Sequence, residues 1–312
     1  MLESSAGIRP SPLHENTPVP VTQARAGTTR IPLPPWFRVR LNPGRRYAQI
    51  KHLTEKFSLH TICEAARCPN IWECWNNQTA TLMILGEICT RRCEYCSVTT
   101  GKPLAIDSGE PLRIAQAVER LGLRHVVITS PNRDDLPDGG SGEFAATIRH
   151  IRSQTPNCRI EVLIPDFKGE TNALDVTLSA HPDIVNHNIE TVPRLFQSIR
   201  PQGSYQRSLD VLAHTAQSNI TTKSGMIVGM GESMAEIKAV MQDLRLVNCT
   251  ILTIGQYLQP TTDHRPVSRF YHPEAFEELR NTGINMGFTH VEAGPLVRSS
   301  YHAEQQGWEV HH

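Results

Sequence analysis

Residues 81–101 read TLMILGEICTRRCEYCSVTTG, and this stretch decides the architecture. The apolar run TLMIL at 81–85 has the length and bulk of a buried strand, and Gly86 ends it. Directly after the strand come Cys89, Cys93 and Cys96 in the spacing CxxxCxxC. Thiolates this close together on a loop can curl around one inorganic centre. Three thiolates fall one short of a closed tetrahedral zinc site, but they can be a full protein contribution to a four-iron cluster whose last iron stays open.

Downstream, five further apolar stretches read as strands: HVVIT at 125–129, RIEVLI at 159–164, DIVNHNI, TKSGMIV and TILTIGQYL. Between them lie PLRIAQAVERLG, SGEFAATIRHIRS, YQRSLDVLAHTAQ and SMAEIKAVMQDLRLV, whose apolar residues recur at three-and-four spacing and predict amphipathic helices. Asp107, Ser141, Ser204 and Ser233 stand where helix-capping oxygens are expected, and Gly101, Gly122 and Gly231 punctuate the loops. Serial strand and helix units favour a parallel sheet with right-handed crossovers, because parallel neighbours need a long connection. An open or incomplete barrel is the natural fit; a doubly wound sheet shares the alternation.

Upstream, the organisation changes. Residues 1–35 are rich in Pro, Ser and Thr and predict a flexible arm, which Pro34 and Pro35 bring to an end. Residues 36–80 form an N-terminal extension holding a second group of thiols, Cys63, Cys68 and Cys74, with Trp72 and Trp75 interleaved. The barrel is expected over 81–270, and 271–312 over one more helix, a short apolar segment and an irregular tail. His311 and His312 are too few for a metal-binding tract. Six of the eight cysteines thus fall into two triads, an arrangement unlike a disulfide framework; Cys158 and Cys249 lie in strand-like surroundings and are expected to be core thiols.

Among the 312 residues, 31 Lys and Arg balance 31 Asp and Glu. Neutrality supplies no long-range attraction for nucleic acid or an anionic membrane, and neither partner is expected. There is no long apolar span and no apolar core of a secretory signal near the first residues, so a reducing, cytoplasmic setting is expected. A chain of this size can bury a sufficient core alone, and a monomer is expected.

CxxxCxxC after a strand, followed by serial strand and helix units, resembles the radical S-adenosylmethionine superfamily. Within it, the chain is most similar to the lipoyl synthase family over residues 36–306. The resemblance rests on both triads and on NRDDLPDGG, NHNIETVPRLF, TKSGMIVGMGE and GPLVRSSYHAE, in that order. It implies an α/β fold, a radical-SAM partial (β/α)6 TIM-like barrel whose N- and C-terminal extensions carry an auxiliary-cluster site. It also implies two [4Fe-4S] clusters. Cys89, Cys93 and Cys96 would hold the one that cleaves S-adenosylmethionine; Cys63, Cys68 and Cys74, completed by Ser300 or its neighbour Ser299, would hold the one that donates sulfur. An alkoxide is a harder ligand than thiolate, which makes sense if that iron is to be released.

The implied reaction inserts two sulfurs at carbons 6 and 8 of an octanoyl chain amide-linked to a carrier lysine, consuming two S-adenosylmethionine per product. Those carbon–hydrogen bonds lie beyond acid or base catalysis, so the cofactors carry the chemistry while the protein positions and excludes. The implied partners are octanoylated carrier domains, such as the glycine-cleavage H protein and 2-oxoacid dehydrogenase E2, with ferredoxin or flavodoxin as reductant.

Polar residues at strand exits are candidates to orient the cofactor: Thr129, Asn188, Glu190 and Lys223. Gly225, Gly229 and Gly231 could allow close backbone approach or simply serve turns. Amides of the 89–96 loop can donate to sulfur, and Arg91 and Arg92 add positive charge there. Arg133, Asp134 and Asp135 are expected to organise the mouth through ion pairs. Arg298 either meets a carboxylate or sulfide near a cluster or anchors the tail. Arg194, Arg200 and Arg207 are expected to face an acidic patch on the carrier.

Two departures from the family pattern stand out. SPNRDD replaces the commoner valine-aspartate-arginine form, so Asn132 inherits no family role, and Glu87 replaces aspartate. Competing readings are a two-cluster methylthiotransferase acting on tRNA or ribosomal protein, and an iron–sulfur scaffold or electron carrier. The absence of an evident RNA-binding addition and the presence of RSSY weigh against the first; the barrel would be unexplained by the second.

Overall fold

The computed structural model describes residues 32–38 and 44–306. The expectations for residues 1–31 of the arm and for His311 and His312 lie outside the described residues. Near the start of the described residues, the Trp36 ring meets His272 edge-on at 5.0 Å, and Phe37 is buried beside Phe270.

Each apolar stretch becomes a strand. In chain order these are β1 (His60–Thr61), β2 (Thr79–Met83), β3 (Ile88–Cys89), β4 (Thr99–Thr100), β5 (His125–Thr129), β6 (Arg159–Leu163), β7 (Ile184–Asn186), β8 (Thr221–Val228), β9 (Ile251–Gln256) and β10 (His290–Gly294). The main sheet, among the described residues, has eight strands in the order β1-β2-β5-β6-β7-β8-β9-β10. All its pairings are parallel except β1 with β2. Consecutive parallel strands lie side by side in one direction without the reversal that a doubly wound sheet requires, so the winding is that of a barrel. β1 and β10 stand at opposite edges, so the barrel is open. The short apolar segment expected after residue 285 is β10, and it adds a further parallel strand beyond the six anticipated.

The connecting helices are α4 (Glu110–Leu121), α5 (Ser141–Gln154), α6 (Thr171–Leu178), α7 (Pro193–Ile199), α8 (Tyr205–Gln217), α9 (Met234–Leu246) and α10 (Pro273–Asn285). They follow α1 (Arg45–Lys56), α2 (Ile62–Ala65) and α3 (Ile71–Asn76) of the N-terminal extension. In α4, Ile114, Ala115, Ala117 and Val118 turn to the sheet, and Gly122 ends the helix in the left-handed conformation at φ 60°. Ser204 and Ser233 cap α8 and α9 as expected, the latter in a reciprocal capping box with Glu236.

Two expected caps are displaced. Ser141 is the first helical residue of α5, and Asp138 instead accepts from the amides of Gly140 and Gly142. Asp107 lies before Gly109, whose amide it receives. Side chains such as Phe144, Ile148 and Phe276 are wholly buried between helices and sheet, and each contributes about 1.5–3 kcal/mol relative to exposure. Cys158 and Cys249 belong to this core.

Candidate active site

Past β2 the chain leaves the sheet through Leu85 (φ 67°) and Gly86 (φ 80°), two successive left-handed residues. The Leu85 amide donates to the Glu110 carboxylate at 2.6 Å. That turn throws the 87–98 loop over the C-terminal ends of the strands, where β3 and β4 pair to close its base. Cys89 Sγ there accepts from the amides of Arg91 and Asn132, both at 3.3 Å. Asn132 therefore acts through its backbone.

Arg91 does not supply free positive charge. Its buried guanidinium makes two bonds to Asp134 (2.6 and 2.8 Å) and one to Asp166 (2.7 Å), and Arg207 reaches the other oxygen of Asp166 at 3.1 Å. Burial alone would raise the Asp166 carboxyl, but Arg91 outweighs it and holds the group well below the usual carboxylate range. Arg133 pairs with Asp135 and also donates to the carbonyls of Leu85 and Leu104. The anticipated NRDD ion-pair network thus fastens the cysteine loop to the next strand-to-helix loop.

The three loop thiols border a cavity of about 790 Å³ at the barrel mouth, together with Thr129, Asn188 and Glu190. Asn188 and Glu190 come from the segment after β7, which rejoins the sheet when Glu190 bridges Met226. Glu190 is a left-handed residue at φ 68°, and Asn188 Nδ2 donates to its Oε1 at 3.1 Å. Burial raises the Glu190 carboxyl, while Arg200, Asn188, Tyr95 and Arg298 pull in the opposite direction. Gly225 lines the same cavity, and a Cβ there would press on Asn188 Oδ1 at 2.6 Å and Thr253 Oγ1 at 2.8 Å. Gly229 and Gly231, at φ 110° and 117°, are turn residues.

Lys223 corrects an expectation. It is completely buried inside the barrel, off the cavity wall, with Nζ on both oxygens of Glu161 at 2.9 and 3.1 Å. Burial would raise Glu161, but Lys223 and then His125 bring it down to about 2. Residues alternate in and out along a strand, and Lys223 sits too far from the C-terminal end of β8 to reach the mouth.

The three arginines expected to meet a carrier do not form one free basic patch, although Arg194 is exposed. Arg194 is spent on Glu236 and the Gly231 carbonyl, and Arg207 on Asp166. Arg200 is only 8% exposed and lies in the cavity wall, its guanidinium over the Phe196 ring and bonded to the Asn188 carbonyl at 2.9 Å.

In the N-terminal extension, Thr61 caps α2 by accepting the Glu64 amide, placing Cys63 in the first turn; Cys74 rides on α3. Tyr47 of α1 stacks on Trp72 and Trp75 with ring centroids 4.0 and 5.0 Å apart and roofs this segment. The two cysteine segments touch where Ser97 Oγ donates to the Ala65 carbonyl at 3.0 Å. The C-terminal tail closes over the first triad: Asn70 Nδ2 donates to the Leu296 carbonyl, Tyr301 and His302 reach Glu73, and Thr79 donates to Glu304. Ser299 lines the cavity and Ser300 is the next residue on that turn.

The donor chemistry suits iron–sulfur clusters. Burial first, and then the neighbouring Cys68, push the Cys63 thiol up to about 11; burial, and to a smaller extent Cys93 and Cys89, push Cys96 up to about 12. Buried thiols that repel one another as thiolates need cationic iron to ionise. Among the described residues, no three Cys, His, Asp or Glu side chains converge on one ion position.

Sequence reasoning missed His264 and Gly255. His264 Nε2 donates to the Cys96 carbonyl at 2.9 Å while Nδ1 accepts from Thr261, and the Arg265 amide donates to the Glu94 carbonyl, so the loop after β9 straps the cysteine loop down. The polar run QPTTDHRP directly after a strand end was the available signal.

Residues 83–244 match the model of the radical SAM superfamily, and residues 15–68 that of the N-terminal domain of lipoyl synthase of the radical SAM family. The chain is 55% identical over 275 residues to the lipoyl synthase of Rubrobacter xylanophilus, covering 88% of this chain and 86% of that protein. It is 50% identical over 291 residues to the lipoyl synthase of Symbiobacterium thermophilum, covering 93% and 90%. Among solved structures, Streptococcus suis SuiB bound to S-adenosylmethionine superposes with a TM-score of 0.55 at 8% identity, over 72% of this chain and 53% of that one, a likeness of fold.

Proposed function

Because this chain belongs to the lipoyl synthase family of the radical SAM superfamily, we propose that it inserts two sulfur atoms at carbons 6 and 8 of an octanoyl group borne on a lysine of a carrier domain. The observation that carries this reading is the second triad bordering the cavity at the barrel mouth, with the segment of the first triad held against its loop where Ser97 donates to the Ala65 carbonyl. Family membership implies iron–sulfur clusters and S-adenosylmethionine. When bound, these supply a radical able to take hydrogen from unactivated carbon, and a source of sulfide.

In this reading Cys89, Cys93 and Cys96 hold one [4Fe-4S] cluster, and Cys63, Cys68, Cys74 and Ser300 hold the other. Glu190 and Asn188 orient the cofactor's polar groups, Thr129 shapes the adjoining wall, and Gly225 leaves room for it. The Arg91 network keeps the cysteine loop rigid, and His264 straps it from the opposite side. Two S-adenosylmethionine are used per product. The acyl arm enters through the cavity mouth while the carrier, an H protein or E2 domain, stays outside, and ferredoxin or flavodoxin supplies electrons. Among the described residues, no helix is long and apolar enough to cross a membrane.

The test is anaerobic reconstitution followed by reaction with octanoylated carrier, reductant and S-adenosylmethionine. Intact-protein mass spectrometry should show the carrier gaining two sulfurs. Formation of 5′-deoxyadenosine with an unchanged carrier would refute the substrate assignment.

A further inference from the structure

The tail crosses the barrel mouth at one defined place. Gly255, near the C-terminal end of β9, lies so close to the Val297 carbonyl oxygen that a Cβ would collide with it, and Arg298 Nη1 stands 3.3 Å from that same Cβ position. Both obstacles belong to the tail, and one is backbone, which cannot rotate away. Arg298 donates to the Val297 carbonyl at 2.6 Å and lines the cavity that the cysteine loop also borders.

The tail is fixed to the first-triad segment on both sides of Arg298. Before it, Asn70 holds the Leu296 carbonyl at 2.6 Å; after it, Tyr301 and His302 bond Glu73, the neighbour of Cys74, at 3.1 and 3.0 Å. The guanidinium is therefore confined between the segment of the first triad and the cavity that holds Glu190. Its charge is felt at both Cys68 and Glu190.

We infer that Arg298 is the positioning residue of the first triad, a cation held against that site because Gly255 has no side chain, and that it sets the reduction potential of the cluster there. The inference rests on the proposed function in one respect, that the first triad holds a cluster. A nearby positive charge favours the reduced, more negative form, so its removal makes reduction harder.

The experiment is an electron paramagnetic resonance redox titration of the full-length chain with Cys89, Cys93 and Cys96 replaced by Ala, which leaves only the first-triad signal. Arg298→Gln should move the midpoint to more negative potential, and Arg298→Lys should restore most of the shift. Gly255→Ala should move it the same way by displacing the same side chain; if that chain does not fold, the Arg298 variants decide. Loss of first-triad iron in Arg298→Gln but not in Arg298→Lys would also support the role. An intact cluster with an unmoved midpoint in Arg298→Gln overturns this inference and leaves the proposed function standing. Absence of any first-triad cluster in the chain with native Arg298 overturns both.

Discussion

The two cysteine triads are built by opposite strategies. The second lies on one short loop of a barrel strand, and its supports come from neighbouring strand-to-helix loops: the Arg91 network, the Asn132 amide, and His264 after β9. The first rides on two short helices and the turn between them, outside the barrel, and is closed by a tail more than 220 positions away in sequence, as the Asn70 to Leu296 bond shows. A site on a rigid scaffold can hold a constant geometry, whereas one closed by a distant tail can open without unfolding the barrel. That difference matches the proposed roles, one centre reused and the other surrendering sulfur.

The largest effects should come from breaking each triad separately. Cys93→Ala should abolish 5′-deoxyadenosine formation while the first triad keeps its iron. Cys68→Ala should still form 5′-deoxyadenosine but give no lipoylated carrier. Chromatographic assay of deoxyadenosine beside carrier mass decides this, and equal lipoyl output from Cys68→Ala and the parent chain would remove the division of labour.

An intermediate effect is expected at Arg91. Replacing it by Leu leaves buried Asp166 with Arg207 and the Lys168 amide and strips Asp134 of its ion-pair partner, at a cost of about 3–5 kcal/mol for a broken buried pair. Urea denaturation should show that loss, with iron falling at the second triad first. A stability change under about 1 kcal/mol would mean that the network is dispensable.

The smallest effect sharpens the contrast from the other side. Asn70→Ala removes one tail bond and leaves the Leu296 carbonyl without its donor, a loss of about 1 kcal/mol. Hydrogen exchange should quicken over residues 296–306 while the barrel strands stay protected. Equal quickening in β5 and β6 would show that tail and barrel open as one unit.

Much of this was legible in the residues. The apolar stretches at 125–129 and 159–164 became β5 and β6 nearly to the residue, because central parallel strands are buried on both faces and read as unbroken apolar runs. The cysteine spacing was equally plain. Lys223 was not: a polar residue in an apolar run looks like a mouth residue unless its partner across the barrel interior, Glu161 two strands away on β6, is known. Arg200 was misread for the same reason, since a basic residue after an amphipathic helix looks solvated until the chain folds its guanidinium over Phe196 and under Asn188.

By itself, then, the order of residues determined the strands, the parallel winding and the two cysteine triads, because periodicity and short spacing act within a few positions of the chain. Tertiary structure alone decided that Gly255 admits the tail, that the tail carrying Arg298 is tied to the first-triad segment, and that the Lys223 and Arg200 charges are buried. Those outcomes depend on which residues meet across strands and loops distant in sequence, and a buried charge survives only where such a meeting supplies its partner.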